Sequence, residues 1–169
     1  METMLQQAPE LLDASHSANE RSALLLAAAG GNVHAVEFLL RHGANASLTD
    51  PEENTALHLA VGAHSVGCLQ LLMAATTSLP DATARAFINK VNAFGLTALH
   101  MAVGEGSIDC CQVLIEQNLL DPSIRTVEPP FHTALDMALY GEHHEIARVL
   151  QSQMEERLAL ANTKSSFDG

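Results

Sequence analysis

Tryptophan is absent from the sequence, and aromatic residues make up only 4% of its 169 residues. A hydrophobic core would therefore consist mainly of leucine, valine and alanine, which suits stacked small helices better than a large β-sandwich. Basic residues are also scarce, with 8 lysines and arginines against 20 aspartates and glutamates and a formal net charge of −12. Because a nucleic-acid-binding face needs clustered basic side chains, we expect no binding to DNA or RNA.

Cysteines and long hydrophobic runs are few as well. The 3 cysteines are an odd number without metal-ligand spacing, so we expect reduced core residues in a cytoplasmic or nuclear protein. The apolar run at residues 23–29 is far shorter than the roughly 20 residues that a membrane helix needs. The first residues, Met1-Glu2-Thr3, lack the basic region of a secretory signal. We therefore expect neither membrane insertion nor export.

The sequence does contain one six-residue motif in four copies. Residues 55–60 (TALHLA) recur as residues 97–102 (TALHMA), with a third copy at 133–138 (TALDMA) and a weaker one at 22–27 (SALLLA). The starts of the copies are separated by 33, 42 and 36 residues. Apolar residues three and four apart keep the same register after each motif, which predicts two short amphipathic helices in each copy.

A spacing of 33 residues with a Thr-x-Leu-His-x-Ala core resembles the ankyrin repeat. The resemblance implies an all-α solenoid of four helix-turn-helix repeats joined by β-hairpin-like fingers, and a role in protein binding rather than catalysis. In that family the threonine and histidine of the motif connect neighbouring turns by hydrogen bonds. These structural roles would fall to Thr55, His58, Thr97, His100 and Thr133.

The register of the motif also predicts the organisation of the chain. Residues 1–19 are expected to form an N-terminal lead-in or cap with a short helix near residues 9–12. The repeat domain should span residues 20–160, with repeats at 20–49, 50–91, 92–126 and 127–160. The second repeat carries an insertion at residues 73–87, outside the core pattern, and residues 161–169 are predicted to be a flexible tail.

Finger tips and the exposed ends of inner helices form a concave face in such a stack, and we expect the partner there. An acidic tip at residues 50–53 would favour a basic peptide, mainly through encounter rate and specificity. Aromatic side chains beside charges resemble an interface hot spot, although Phe94 and Phe131 could equally cover the bases of the fingers. The candidate residues are Asp50, Glu52, Glu53, Asn54, Ala93, Phe94, Leu96, Glu105, Glu128, Pro130, Phe131, His132 and Tyr140.

The insertions suggest a narrower resemblance. A plain repeat, a Thr-Thr-x-x-Pro insertion at residues 76–80 and a Glu-Pro finger at 128–130 are similar in order to the inhibitors of NF-κB, the IκB family. That resemblance implies sequestration of a Rel-type transcription factor by masking a basic segment. The family's phosphorylation degron and its acidic tail are not recognisable in this sequence. An interaction module with an unrelated partner, and a scaffold or targeting subunit of a larger complex, remain as alternatives.

Nine histidines invite a metal-binding or acid–base interpretation, but their spacing does not support one. The sequence contains no glycine-rich phosphate loop, nucleophile elbow or His-Glu-x-x-His motif. Residues 142–145, Glu-His-His-Glu, imitate a metal motif, but the two histidines are adjacent rather than four residues apart. We therefore predict a protein without catalytic activity, metal or cofactor, and a monomer in the absence of its partner.

Overall fold

Four pairs of α-helices stack side by side in the computed structural model, which describes residues 12–14 and 21–165. Each inner helix packs on the inner helix of the next pair, and the outer helices pack in the same order. The inner helices are α1 (Ala23–Ala29), α3 (Ala56–Gly62), α6 (Ala98–Gly104) and α8 (Ala134–Tyr140). The outer helices are α2 (Val33–Arg41), α4 (Val66–Thr76), α7 (Ile108–Ile115) and α9 (His144–Ser165), and α5 (Asp81–Ile88) is additional.

This arrangement confirms the prediction of an all-α repeat stack. The connections between pairs are turns rather than regular hairpins, and the bridge between Arg125 and Thr133 is an isolated one outside any named strand. We name them by the residues that close them: the first finger (residues 50–54), the second finger (92–96) and the third finger (126–132). Each is closed by a backbone hydrogen bond of 2.9 to 3.1 Å between its first and last residue.

The motif residues begin the inner helices. Thr97 and His100 form a capping box, in which the backbone N–H of Thr97 donates to His100 Nδ1 at 3.3 Å and that of His100 donates to Thr97 Oγ1 at 3.3 Å. Thr133 and Asp136 do the same in α8. Two of the four N–H groups that a helix leaves unpaired at its start are satisfied in this way. The motif therefore specifies where each inner helix starts.

Small and sulfur-containing side chains fill the space between neighbouring pairs. The alanine that ends each motif is buried in all four copies, at Ala27, Ala60, Ala102 and Ala138. The three cysteines are free and fully buried, as expected of core residues. Burial raises the pKa of Cys111 to about 12, so its thiol stays protonated and unreactive at neutral pH.

The insertion contributes to the core, which corrects the expectation that residues 73–87 lie outside the core pattern. Residues 73–76 complete α4, and residues 81–88 form the additional helix α5. Ala84, Phe87 and Ile88 of α5 are at most 5% exposed. Their spacing of three and one residues puts them on one side of a helix, so that α5 packs that side onto the stack.

The C-terminal residues also differ from the prediction of a flexible tail starting at 161. Helix α9 continues through Ser165, and residues 166–169 lie outside the described part of the chain. Residues 144–165 contain neither glycine nor proline and are rich in strong helix formers. In addition, the Arg157 guanidinium donates to the carbonyls of Ile115, Gln117 and Leu120 at 3.1, 2.7 and 2.7 Å. These bonds tie α9 to the C-terminal end of α7.

Residues 12–14 contact the loop after the first helix pair in the same way as the loop around Asn89 contacts the loop after the third pair. Asp13 Oδ1 accepts a hydrogen bond of 2.9 Å from the backbone N–H of Asn45, 32 residues later. Asn89 Oδ1 accepts one of 2.7 Å from the N–H of Asp121, also 32 residues later. Leu12, just before Asp13, is 4% exposed. The helix expected near residues 9–12 lies outside the described residues except for its last position.

Candidate protein-binding surface

Asp50, the first acidic candidate, is part of the fold rather than of the surface. Its side chain is fully buried, and its Oδ1 accepts from the backbone N–H groups of Glu52 and Asn54 at 3.1 and 2.8 Å. Its Oδ2 accepts from Arg21 Nη2 at 2.6 Å. Burial works against the charged carboxylate, but the hydrogen bonds from Asn54 and Arg21 outweigh it and lower the pKa of Asp50. Asp50 therefore shapes the first finger and is not available to a partner.

The other acidic side chains of the first finger reach solvent. Glu52 and Glu53 have side chains that are 50% and 55% exposed. Glu52 lies 3.9 Å from Arg21, and Glu53 forms an ion pair of 2.6 Å with Lys90. Asn54 is turned towards the second finger and accepts from Asn92 Nδ2 at 2.9 Å. Because each carboxylate has a basic neighbour, the tip is less acidic than its sequence suggests.

The second finger repeats the same turn and then exposes an aromatic ring. Asn92 is buried, and its Oδ1 accepts from the N–H groups of Phe94 and Leu96 at 3.0 and 3.1 Å. The side chain of Phe94 is 64% exposed, while Ala93 donates its N–H to the Glu52 carbonyl at 2.8 Å and links the two fingers. Leu96 is partly buried, and its carbonyl accepts a hydrogen bond from His58 Nε2 at 3.0 Å.

The third finger is longer at its tip. Thr126 takes the place of Asp50 and Asn92, since its Oγ1 accepts from the N–H of His132 at 3.0 Å. That bond spans six residues, whereas the matching bond from Asn54 to Asp50 spans four. The extra length exposes Val127 by 63% and Phe131 by 49%, and Glu128 and Pro130 are exposed beside them. The aromatic rings of both fingers thus stand in solvent rather than cover the finger bases.

The second and third fingers touch at Gly95. A Cβ atom there would lie 2.5 Å from Val127 Cβ, and the φ of Gly95 is +71°, a conformation that favours glycine. Glycine at this position therefore lets Val127 pack directly on the second finger. The contact brings Phe94 into the neighbourhood of the third finger.

The end of α8 extends this exposed surface. Tyr140 is 76% exposed, at a position where α3 and α6 have Gly62 and Gly104. Its ring centroid lies 4.7 Å from that of His132 at the base of the third finger. We call Phe94, Val127, Phe131, His132 and Tyr140 the aromatic patch. Glu105 lies at the end of α6 and is 3.7 Å from His64.

Two exposed apolar residues were not predicted as partner-binding residues from the sequence: Val127 in the third finger and Leu139 in α8. Leu139 is 49% exposed, although Val61 and Val103 at the same motif position are fully buried. The longer spacing before the fourth motif could have indicated that Val127 is exposed, because it lengthens the third finger. The exposure of Leu139 depends on what packs beside α8, which the motif itself does not contain.

The motif histidines have structural roles, but only one completes the expected bridge between neighbouring turns. His58 Nδ1 accepts from the N–H of Thr55 at 3.2 Å, and its Nε2 donates to the Leu96 carbonyl of the second finger at 3.0 Å. His100 Nε2 is buried and has no hydrogen-bond partner in the described structure. Burial lowers the pKa of both histidines below the ordinary value of 6.5. Both rings are therefore neutral at physiological pH.

Over the residues that the structure describes, no cluster of three or more histidine, cysteine, aspartate or glutamate side chains could hold a metal ion. Within the same residues, no helix combines the length and the apolar character needed to cross a membrane.

Comparison with known families agrees with the helix stack. A family model described as "Ankyrin repeats (3 copies)" matches residues 2–84 and 80–158. The chain belongs to the ankyrin-repeat family. No curated protein sequence matches it. Ankyrin-repeat proteins are generally protein–protein interaction modules and are typically non-catalytic.

Proposed function

We propose that this ankyrin-repeat protein binds a partner protein through its fingers, with the aromatic patch as the anchor. The proposal rests on the positions of the exposed apolar side chains. Six large hydrophobic residues are markedly exposed in the described structure: Val33, Phe94, Val127, Phe131, Leu139 and Tyr140. All but Val33 belong to the second and third fingers or to α8. A concentration of exposed apolar side chains in a few neighbouring elements is typical of a binding site.

Charge narrows the chemistry of the partner. Glu128 follows Val127 of the aromatic patch, the Glu52 backbone bonds to Ala93 next to Phe94, and the chain as a whole has a net charge of −12. A partner segment with apolar side chains for the patch and basic side chains around them fits this distribution. The charges would act mainly on encounter rate and specificity, while the buried aromatic contacts would supply most of the affinity.

The test compares capture of binding partners by matched variants. Phe131→Ala and Tyr140→Ala together remove two rings of the patch, and both side chains are largely exposed, so the fold should be retained. Val33→Ala removes an exposed apolar side chain at the start of α2 and serves as the control. We expect proteins that bind the wild type and the control to be lost from the double variant. Equal capture by all three would contradict the proposal.

Once a partner is known, its association kinetics test the role of charge. Reversing Glu52 and Glu53 to lysine should slow association and flatten its dependence on salt, because the carboxylates act at long range. Asp50 is not included, because its reversal would disrupt the buried turn of the first finger. Unchanged association rates at every salt concentration would eliminate the proposed attraction to a basic segment.

A second candidate is an IκB-like inhibitor that masks the basic segment of a Rel-type transcription factor in the cytoplasm or nucleus. The additional helix α5 and the lengthened third finger support it, since both correspond to the insertions that suggested this resemblance. A pull-down with a Rel-type factor, followed by a DNA-binding competition, separates the candidates. Binding with loss of DNA binding favours the inhibitor, whereas no binding favours a scaffold or targeting subunit with another partner.

A further inference from the structure

The outward face of the fourth helix pair is not covered. The third and fourth positions of the motif, and the residue that directly follows it, are buried at every internal junction. In the first three copies every residue at these positions is at most 2% exposed: Leu24, Leu57, Leu99, Leu25, His58, His100, Ala28, Val61 and Val103. In the fourth copy Leu135 is only partly buried, the Asp136 side chain is 38% exposed and Leu139 is 49% exposed. We call Leu135, Asp136, Leu139 and the neighbouring Arg125 the end face.

The end face is not built as a polar cap. Terminal repeats of solenoid proteins normally carry a polar outer face, which keeps the stack soluble. The outer helix α9 follows this rule with an exposed Gln151, where α4 and α7 have the buried Met73 and Ile115. The inner helix does not, because Leu139 is larger and no less apolar than the valines at its equivalent positions.

No described residue of the chain covers the end face. The outer helices α2 and α7 have 9 and 8 residues and are followed by turns that lead to the next finger. Helix α4 has 11 residues and is followed by the additional helix α5. Helix α9 instead continues for 22 residues without a turn, so the described residues after α8 form no further helix pair. Its Arg157 binds carbonyls at the end of α7, which directs α9 back towards the third pair rather than across α8.

The end face is complementary to itself. Leu135 and Leu139 are four residues apart and lie on one side of α8, so an antiparallel copy of the helix would place each opposite the other. Arg125 lies 3.9 Å from Asp136, a loose pair with side chains that are 63% and 38% exposed. Arg125 Nη1 also donates to the Phe131 carbonyl and Asp136 Oδ2 accepts from Thr133, so the remaining guanidinium nitrogens and Asp136 Oδ1 are the atoms that can face a second copy. Across a two-fold axis each Arg125 would meet the Asp136 of the other copy, as a self-complementary interface requires.

We infer that two copies of this chain associate through their end faces, with α8 packed antiparallel on α8 of the second copy. This departs from the monomer expected from the sequence, and it does not depend on the proposed function of the fingers. Each chain carries a net charge of −12, so the two copies repel each other at low salt. At physiological ionic strength charges separated by more than about 8 Å are screened, and the pairing should be stronger there.

Sedimentation over a range of concentrations tests the pairing on the whole chain. The wild type should move from the mass of one chain towards that of two as its concentration rises. Leu139→Gln should weaken association by about tenfold or more, because both copies lose an apolar side chain from the contact. Val33→Gln is the control and should behave as the wild type, as should Phe131→Ala in the fingers. A one-chain mass for the wild type at every concentration, or undiminished association of Leu139→Gln, would overturn the inference.

A charge exchange tests whether the second copy, rather than another protein, is the occupant. Arg125→Glu and Asp136→Arg should each remain a single chain when alone, because each places like charges opposite each other. When mixed, they should form a heterodimer with both ion pairs restored. Asp136 also caps α8, so circular dichroism must first show that Asp136→Arg is folded. If folded variants show no heterodimer on mixing, the two-fold arrangement is wrong; if the variant does not fold, the Leu139→Gln comparison decides.

Discussion

The junction between the second and third helix pairs differs from the junction between the third and fourth, although both contain the same motif. At the first, His58 Nε2 donates to the Leu96 carbonyl at 3.0 Å. At the second, His100 occupies the equivalent position and is equally buried, yet its Nε2 has no partner in the described structure. The nearby carbonyls of Ile124 and His132 raise the pKa of His100 but do not reach hydrogen-bond geometry.

The difference lies in the fingers. The second finger closes over four residues between Asn92 and Leu96, and this turn holds the Leu96 carbonyl over His58. The third finger closes over six residues, between Thr126 and His132. A longer finger brings its chain past the histidine along a different path. The motif therefore provides the donor, but the length of the following finger decides whether an acceptor meets it.

The largest expected effect comes from replacing each histidine by leucine, the residue that the first motif carries at Leu25. His58→Leu removes the bonds to Thr55 and Leu96 and should reduce the free energy of unfolding by about 2–3 kcal/mol. His100→Leu should cost about 1 kcal/mol less, because it also removes an unsatisfied buried group. Urea denaturation measures both values. Equal costs would show that the two junctions do not differ in strength.

The contact between the second and third fingers is tested at Gly95. Gly95→Ala introduces a Cβ 2.5 Å from Val127 Cβ in a conformation that alanine rarely adopts, and should cost about 2 kcal/mol of unfolding free energy. Gly43→Ala is the matched control, since its φ is +86° but nothing lies within 4 Å of the new atom. We expect the control to cost about 1 kcal/mol, from backbone strain alone. The contact is unimportant if both alanines cost the same.

Arg157 strengthens the junction between the third and fourth helix pairs, where His100 Nε2 has no hydrogen-bond partner in the described structure. Arg157→Ala removes three hydrogen bonds from a charged donor to backbone carbonyls, and should cost about 1.5 kcal/mol. Amide hydrogen exchange should become faster in α8 and α9 and stay unchanged in α3. Arg148→Ala, at an exposed position of the same helix, is the control. Uniformly faster exchange along the stack would contradict this, because it would mean that Arg157 does not stabilise the fourth helix pair in particular.

The smallest effect is the dependence of stability on pH. The pKa of His58 and of His100 is lowered in the folded chain, so below pH 6.5 the unfolded chain binds more protons than the folded one. The free energy of unfolding should therefore fall as pH decreases from 7 to 5. Asp50 has a lowered pKa as well, and its contribution is lost only at pH values below about its ordinary 3.8. Combining His58→Leu with His100→Leu should flatten the profile between pH 7 and 5; an unchanged slope would assign the dependence to other groups.

The residues of the motif were predictable because their contacts are local. Thr97 and His100 are three residues apart, and a capping box needs nothing beyond one helical turn. The sequence indicated an insertion after Met73 but not its contribution to the core, since only packing shows that Phe87 is 5% exposed. Phe94, Phe131 and Tyr140 are exposed as a partner-binding role requires, whereas Asp50 is buried because the first finger needs its carboxylate for the turn.

The sequence by itself determined where the inner helices start, because an apolar pattern and a capping residue act over a few neighbouring positions. It did not determine which polar groups would be satisfied or which apolar side chains would remain exposed. His58 and His100 have nearly the same local sequence, and Leu139 follows its motif at the position where the buried Val61 and Val103 follow theirs. Their differences come from chain segments that are distant in sequence: the finger that passes over each histidine, and the next inner helix, which α8 lacks in the described structure.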